Sequence, residues 1–259
     1  MLHALNSLAT RVNNGTQRTK KALHHFLDYC YDHPDAVKLY VASDMILFID
    51  SDAAYLVERG AKSRAGGFFY LGNKDGTIIN GSILVLAKII KFVMSSAAEA
   101  EIAGLFMNAK YAVPIQQTLI EMGFPQPATK IKTDNSTADG FVNDTIKQNR
   151  SKAIDMRFYW LKCRQQQQQF DIYWDNGKNN FADYFTKHHS PSHHKAVRPI
   201  YLFDQNNELD MRGCIKILND RGNPASKSKP CPTPVSNDNY VTNAVRASRT
   251  IKELLRSLK

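Results

Sequence analysis

Four acidic residues stand where this chain could hold metal ions. Asp52 follows the apolar run "MILFID". Glu101 lies in "SSAAEAEIAGL", a small-residue segment that reads as the start of a helix. Asp134 ends the strand candidate "ATKIKTDN", and Asp183 lies in "NNFADYFTK". Glu99 and Glu101 are two apart, and residues two apart on a helix do not share a face. If one faces water the other faces the protein, where a carboxylate is costly without a positive partner. If the strands lie side by side, Asp52 and Asp134 meet at the sheet, and two helices bring Glu101 and Asp183 over the same point. Four carboxylates there raise one another's pKa and persist only with cations between them. Oxygen-only ligands select Mg²⁺ or Mn²⁺ over zinc. Two such ions a few ångström apart are the usual arrangement for in-line attack on a phosphodiester. A single Asp after a strand is more often a turn cap, so the argument rests on the set of four.

The elements that must position these acids can be read in order. Residues 1–40 read as helix, with "HPDA" as the turn that ends it. "MILFID", "AGGFFYLG" and "IINGSILVLAKI" are strands, and "NKDGT" is a hairpin turn, so the three predict an antiparallel meander. A helix over 95–123 starts at the Ser95/Ser96 cap and stops at Gly123 and Pro125, with a kink or break expected at Pro114. A fourth strand precedes a short helix "STADGFVNDTI", capped by Ser136 or Thr137. "KAIDMRFYWLKCRQQQQQ" is a further helix, "FDIYWD" a fifth strand and Asn179 to Lys187 a last short helix. The order βββαβααβα is an α/β layout.

Composition bounds the partners. Of 259 residues 43% are apolar, enough for a real core, and the formal net charge is +10. That balance favours a polyanion, nucleic acid before an anionic membrane surface. The longest apolar run, "SILVLAKIIKFVM", is too short and too lysine-interrupted to span a bilayer, so no membrane partner is expected. The four cysteines form no CxxC pair, which fits a reducing compartment. "HHSPSHH" reads as a Ser/Pro loop rather than a zinc site. Residues 205–259 read as a Pro/Ser/Asn-rich linker and an amphipathic helix, a tail expected to be partly disordered.

At this point the motifs match a known family. "SDAAY", "KSRAGGFFYL", "SAAEAEIAGL", "TDNSTA", "NRSKAIDMRFYWL" and "NFADYFTK" occur in order across about residues 45–190. Together they resemble the ribonuclease H region of copia-type retrotransposon polyproteins. Residues 1–45 resemble the end of the reverse transcriptase that precedes it, without the polymerase's Tyr-x-Asp-Asp box. The resemblance implies a ribonuclease H-like mixed five-stranded sheet flanked by helices. It divides the chain into a helical segment (1–40), the nuclease-like domain (41–204) and the tail (205–259). It implies two Mg²⁺ or Mn²⁺ ions held by Asp52, Glu101, Asp134 and Asp183, and cleavage of the RNA strand of an RNA/DNA hybrid.

For the glutamate, "EIAG" matches the family's Glu-x-x-Ala/Gly stretch at Glu101. Asp50 is the rival of Asp52 and is set aside because Asp52 keeps the "SDA" register. Asn135, Arg150, Lys152, Arg157 and Lys187 are the expected nucleic-acid contacts, with Lys132 and Lys147 as further phosphate-binding candidates. A reverse transcriptase domain of the same polyprotein is the implied protein partner. A cytoplasmic retroelement particle, or the nucleus, is the implied location.

The acid order Asp, Glu, Asp, Asp disfavours an integrase-like transferase, which uses Asp, Asp, Glu. Ala153 stands where many relatives carry histidine, and five glutamines replace a stretch that usually contains a glycine. A chain that starts within a polyprotein suggests a fragment or a degenerating insertion. The rival to an active nuclease is therefore an inactive nucleic-acid-binding remnant.

Overall fold

A computed structural model describes residues 1–34, 36–145 and 156–202. Its centre is one five-stranded sheet of order β3-β2-β1-β4-β5. The strands are β1 (Ile46–Glu58), β2 (Lys62–Gly72), β3 (Ser82–Ile89), β4 (Thr129–Thr133) and β5 (Phe170–Trp174). β1, β2 and β3 form the antiparallel meander, while β4 and β5 run parallel to β1. The helices are α1 (Leu2–Ala9), α2 (Gln17–Asp32), α3 (Ala97–Glu121), α4 (Ser136–Val142), α5 (Met156–Gln166) and α6 (Pro191–Tyr201). This is the mixed, helix-flanked sheet expected for a ribonuclease H-like fold.

Period-2 alternation sorts β1 between two cores. Leu47 and Ile49 face α3 and join Phe69, Leu105, Ile131 and Phe170 in the larger core. Ile46 and Phe48 face the opposite side, with Phe68, Tyr70, Phe181 and Phe185. Both sides of the sheet are therefore covered, which explains why β1 reads as a continuous apolar run rather than an alternating one.

Several boundaries differ from the sequence reading. β1 continues past Asp52 to Glu58, because small β2 residues, Gly66 and Ala65, pair with Asp52 and Ala53. The link from β2 to β3 is longer than a tight hairpin: Asn73–Gly76 turns, with Gly76 at φ +71, and β3 starts only at Ser82. α3 runs as one helix through Pro114. A helix-interior proline costs about 3 kcal/mol, and burial of Leu105, Ala109, Ala112 and Leu119 on one side of this helix offsets it. α4 is capped by Asn135, whose side chain accepts from the Ala138 N–H (2.9 Å), not by Ser136 or Thr137.

The expected helix over 179–187 is two 3-10 turns, Gly177–Asn179 and Asp183–Phe185. The "HHSPSHH" stretch opens α6 instead of forming a loop: Ser190 caps it by accepting from the His193 N–H, and Pro191 occupies the first turn. In the glutamine run, Gln165 and Gln166 end α5, and Gln168 takes φ +57. A non-glycine residue thus adopts the left-handed position for which a glycine is better suited.

The first helix, α1, packs on the sheet and α2 packs on α1. Asn6 donates to the Ala87 carbonyl (2.9 Å), and His3 meets Glu58 (3.4 Å), which also pairs with the fully buried Arg64. On α2, Tyr29 reaches His194 of α6 (2.8 Å). Among the described residues no helix is long and apolar enough to cross a membrane. The expected linker and amphipathic helix over 205–259 lie outside the described residues.

Candidate metal centre

Three of the four acids converge. A carboxylate oxygen from each of Asp52, Glu101 and Asp134 lies within 4.8 Å of the others. Asp52 comes from the middle of β1, Glu101 from the first turns of α3, and Asp134 from just past the C-terminal end of β4.

α3 can approach this closely because of Gly104. A Cβ there would stand 3.2 Å from both the Ala53 Cβ and the Asp52 carbonyl oxygen. The start of the helix is fixed by its own cap. Ser96 accepts from the Glu99 N–H, and the Glu99 carboxylate accepts from the Ser95 N–H (2.8 Å). Glu99 is thus used at the helix end while Glu101 turns inward, 6% exposed.

The fourth acid, Asp183, stays outside the three-oxygen group, half-buried at its rim and paired with Lys187. Its charge still reaches Asp52, Glu101 and Asp134.

The carboxyls of the cluster are all shifted upward, chiefly by burial. Burial, reinforced by Asp52 and Asp134, pushes the Glu101 carboxyl up to about 9. Burial also pushes Asp52 up to about 7, against a hydrogen bond donated by the Thr186 hydroxyl. Asp134 is shifted upward, first by burial and then by Asp183. The Glu101 Oε2 oxygen is buried and meets no hydrogen-bond partner. A partnerless, inward-facing carboxylate oxygen among other carboxylates fits a hard divalent cation, whose ligands are oxygens.

What carries Asp183 to the rim is a chain of contacts between the sheet and residues 177–187. Asp50 accepts from the Phe181 N–H (2.9 Å) and pairs with Lys132 (3.0 Å). Lys132 also donates to the Asn179 carbonyl (2.7 Å), and Asn180 donates to the Ser51 carbonyl (2.8 Å). The rival Asp50 therefore has a complete set of protein partners of its own. Lys132, 7% exposed, is correspondingly not a phosphate-facing lysine. Its charge is needed by Asp50, a requirement that sequence spacing does not reveal. Lys132→Met leaves Asp50 buried without its cation and should destabilise the fold by about 3 kcal/mol, as measured by urea denaturation. The double change Asp50→Asn with Lys132→Met should recover much of that loss.

Of the expected nucleic-acid contacts, Asn135 caps α4 beside Asp134, Lys187 pairs with Asp183, and the Arg157 guanidinium lies 3.8 Å from the centre of the Phe92 ring. Arg150, Lys152 and Lys147 lie outside the described residues. The sequence reading missed Thr186, Asn180 and the buried Asn108, which donates to Ser51 (2.9 Å) and the Gly66 carbonyl (2.8 Å). Only the position of Thr186 in "ADYFTK" could have drawn attention to any of them.

The fold is a mixed five-stranded sheet with flanking helices, as the family resemblance implied, with an acidic cluster where the three elements meet. The sequence is similar to a retrovirus-related Pol polyprotein from the transposon Tnt 1-94 of Nicotiana tabacum, 24% identical over 187 residues. That alignment covers 71% of this chain and 14% of the polyprotein, so the chain corresponds to a small part of that relative. No family model matches the chain. Among solved structures, the N-terminal ribonuclease H domain of a Mycobacterium tuberculosis protein superposes with a TM-score of 0.38 at 15% identity, covering 55% of this chain and 91% of that one. A ribonuclease H1 isolated from compost, solved with an RNA/DNA hybrid, gives 0.40 at 12% identity, covering 54% and 92%.

Proposed function

We propose that this chain is a retroelement ribonuclease H that hydrolyses the RNA strand of RNA/DNA hybrids with divalent metal ions. The observation that carries the reading is the convergence of Asp52, Glu101 and Asp134 with a buried, partnerless oxygen on Glu101. These residues also occupy the matching motif positions, in the order Asp, Glu, Asp. Asp52, Glu101 and Asp134 would hold the ions, two of Mg²⁺ or Mn²⁺, with Asp183 completing the set from the rim. When bound, the ions supply charge for the scissile phosphate and lower the pKa of an attacking water.

The protein's own share is positional. Thr186 orients Asp52, Lys187 holds Asp183, and Gly104 sets the depth of Glu101. The +10 charge suits a polyanionic duplex, and the ribose 2′-OH would mark the RNA strand. Within the retroelement, residues 1–40 would be the end of a reverse transcriptase, which would be the covalent partner of this domain in a cytoplasmic particle or the nucleus.

The test is cleavage of an end-labelled RNA/DNA hybrid with Mg²⁺ or Mn²⁺, alongside double-stranded RNA and DNA controls. Hybrid-only, chelator-sensitive cleavage of the RNA strand supports the reading. Folded protein that binds the hybrid and never cuts it makes the chain an inactive nucleic-acid-binding remnant instead.

A further inference from the structure

The side of β5 that packs into the larger core emerges from the protein at Trp174. Phe170 and Ile172 point the same way and are each 1% exposed, whereas Trp174 is 50% exposed. A singly exposed apolar residue is ordinary, but this one is held in place. Its indole N–H donates to the backbone carbonyl of Asp134 (3.1 Å). Its backbone pairs with Thr133 in the sheet register. The ring stacks on no other aromatic ring among the described residues. The result is a half-exposed indole with its one polar atom satisfied, immediately beside an acid of the candidate metal centre.

We infer that Trp174 is a substrate-contact residue whose exposed indole packs against the sugar of a nucleotide next to the phosphodiester held at Asp134. This rests on the ribonuclease reading. In a duplex the base faces are stacked inside, so what an outside aromatic face can meet is the apolar C–H side of a sugar. With its N–H committed to Asp134, the indole has no hydrogen bond to offer a base edge. The contact therefore carries no base preference and acts on placement of the strand. It is also coupled to the acid by construction, because the same hydrogen bond that fixes the ring fixes the backbone of Asp134.

The experiment uses the full chain carrying Asp134→Asn, which keeps the backbone carbonyl but prevents turnover. Within it, the parent is compared with Trp174→Phe and Trp174→Ala. Binding of a labelled RNA/DNA hybrid is read by fluorescence anisotropy. Acrylamide quenching of the parent minus that of the Trp174→Phe protein isolates the Trp174 signal from that of Trp160. The expected result is at least a twofold fall in Trp174 quenching on hybrid binding. Affinity should drop roughly tenfold for Trp174→Ala and less for Trp174→Phe. A bound hybrid with unchanged Trp174 quenching overturns the contact and leaves the ribonuclease reading standing. If the parent binds no hybrid at all, both fall together.

Discussion

Glu101→Gln should abolish hybrid cleavage, with a loss on the order of a thousandfold, while leaving the protein folded. Both halves of that expectation come from the same burial. The glutamate sits 6% exposed with one oxygen unpartnered, and its carboxyl is pushed up to about 9. Without metal it is protonated at neutral pH, so an amide of the same shape replaces a neutral group with a neutral group. With metal it must be ionised, and the amide can supply neither the charge nor an equivalent ligand. Asp134→Asn should lose activity to a similar extent. The check is single-turnover cleavage alongside thermal melting. A Glu101→Gln protein that melts normally and cuts at more than a tenth of the wild-type rate would remove Glu101 from the site. Glu99→Gln is the control: Glu99 caps α3 and faces outward, so cleavage should stay near wild type with a small loss of stability.

The metal-free protein should become less stable as pH rises from about 4 to about 9, the reverse of ordinary acid denaturation. The sign follows from linkage. Asp52 and Glu101 have folded-state values of about 7 and about 9, above their ordinary values of 3.8 and 4.5. These two groups therefore bind more protons in the folded than in the unfolded chain throughout that window. Their stabilising effect is complete below the unfolded values and is lost as pH passes through the folded ones. The two displacements bound this loss at about 10 kcal/mol.

A bound divalent cation replaces the protons, so Mg²⁺ should raise the melting temperature, and by more at pH 8.5 than at pH 6. Thermal scans in chelator and in Mg²⁺ at these two values provide the check. An equal shift at both pH values, or none, would mean that these carboxylates do not share a cation. In Glu101→Gln the pH dependence should shrink and the Mg²⁺ effect should largely disappear.

The candidate site was readable from sequence because its acids sit in motifs whose local structure is encoded locally. "SSAAEAEIAGL" carries its own helix cap, and that cap consumes Glu99. Asp134 follows a short β-rich segment that can end only near "TDN". The antiparallel meander and the α/β layout follow from the order of strand and helix patterns, and the mixed five-stranded sheet is what the family resemblance implied.

What the sequence could not give is the partner of each buried charge. Asp50 and Asp52 are two residues apart on one strand, and their types alone do not separate them. Lys132 separates them, because it lies on the adjacent strand and neutralises Asp50 while Asp52 faces Glu101 and Asp134. Nor could spacing place Asp183. Its segment forms 3-10 turns rather than a helix because contacts from Asp50, Lys132, Asn180 and Thr186 override the weak local preference for a regular helix.

The chain by itself determined which elements exist and which residues carry acid. The tertiary structure decided which acids share a point and which is held by protein instead. The reason is physical: a buried carboxylate takes its role from the nearest positive charge or donor, and here those neighbours come from distant parts of the sequence.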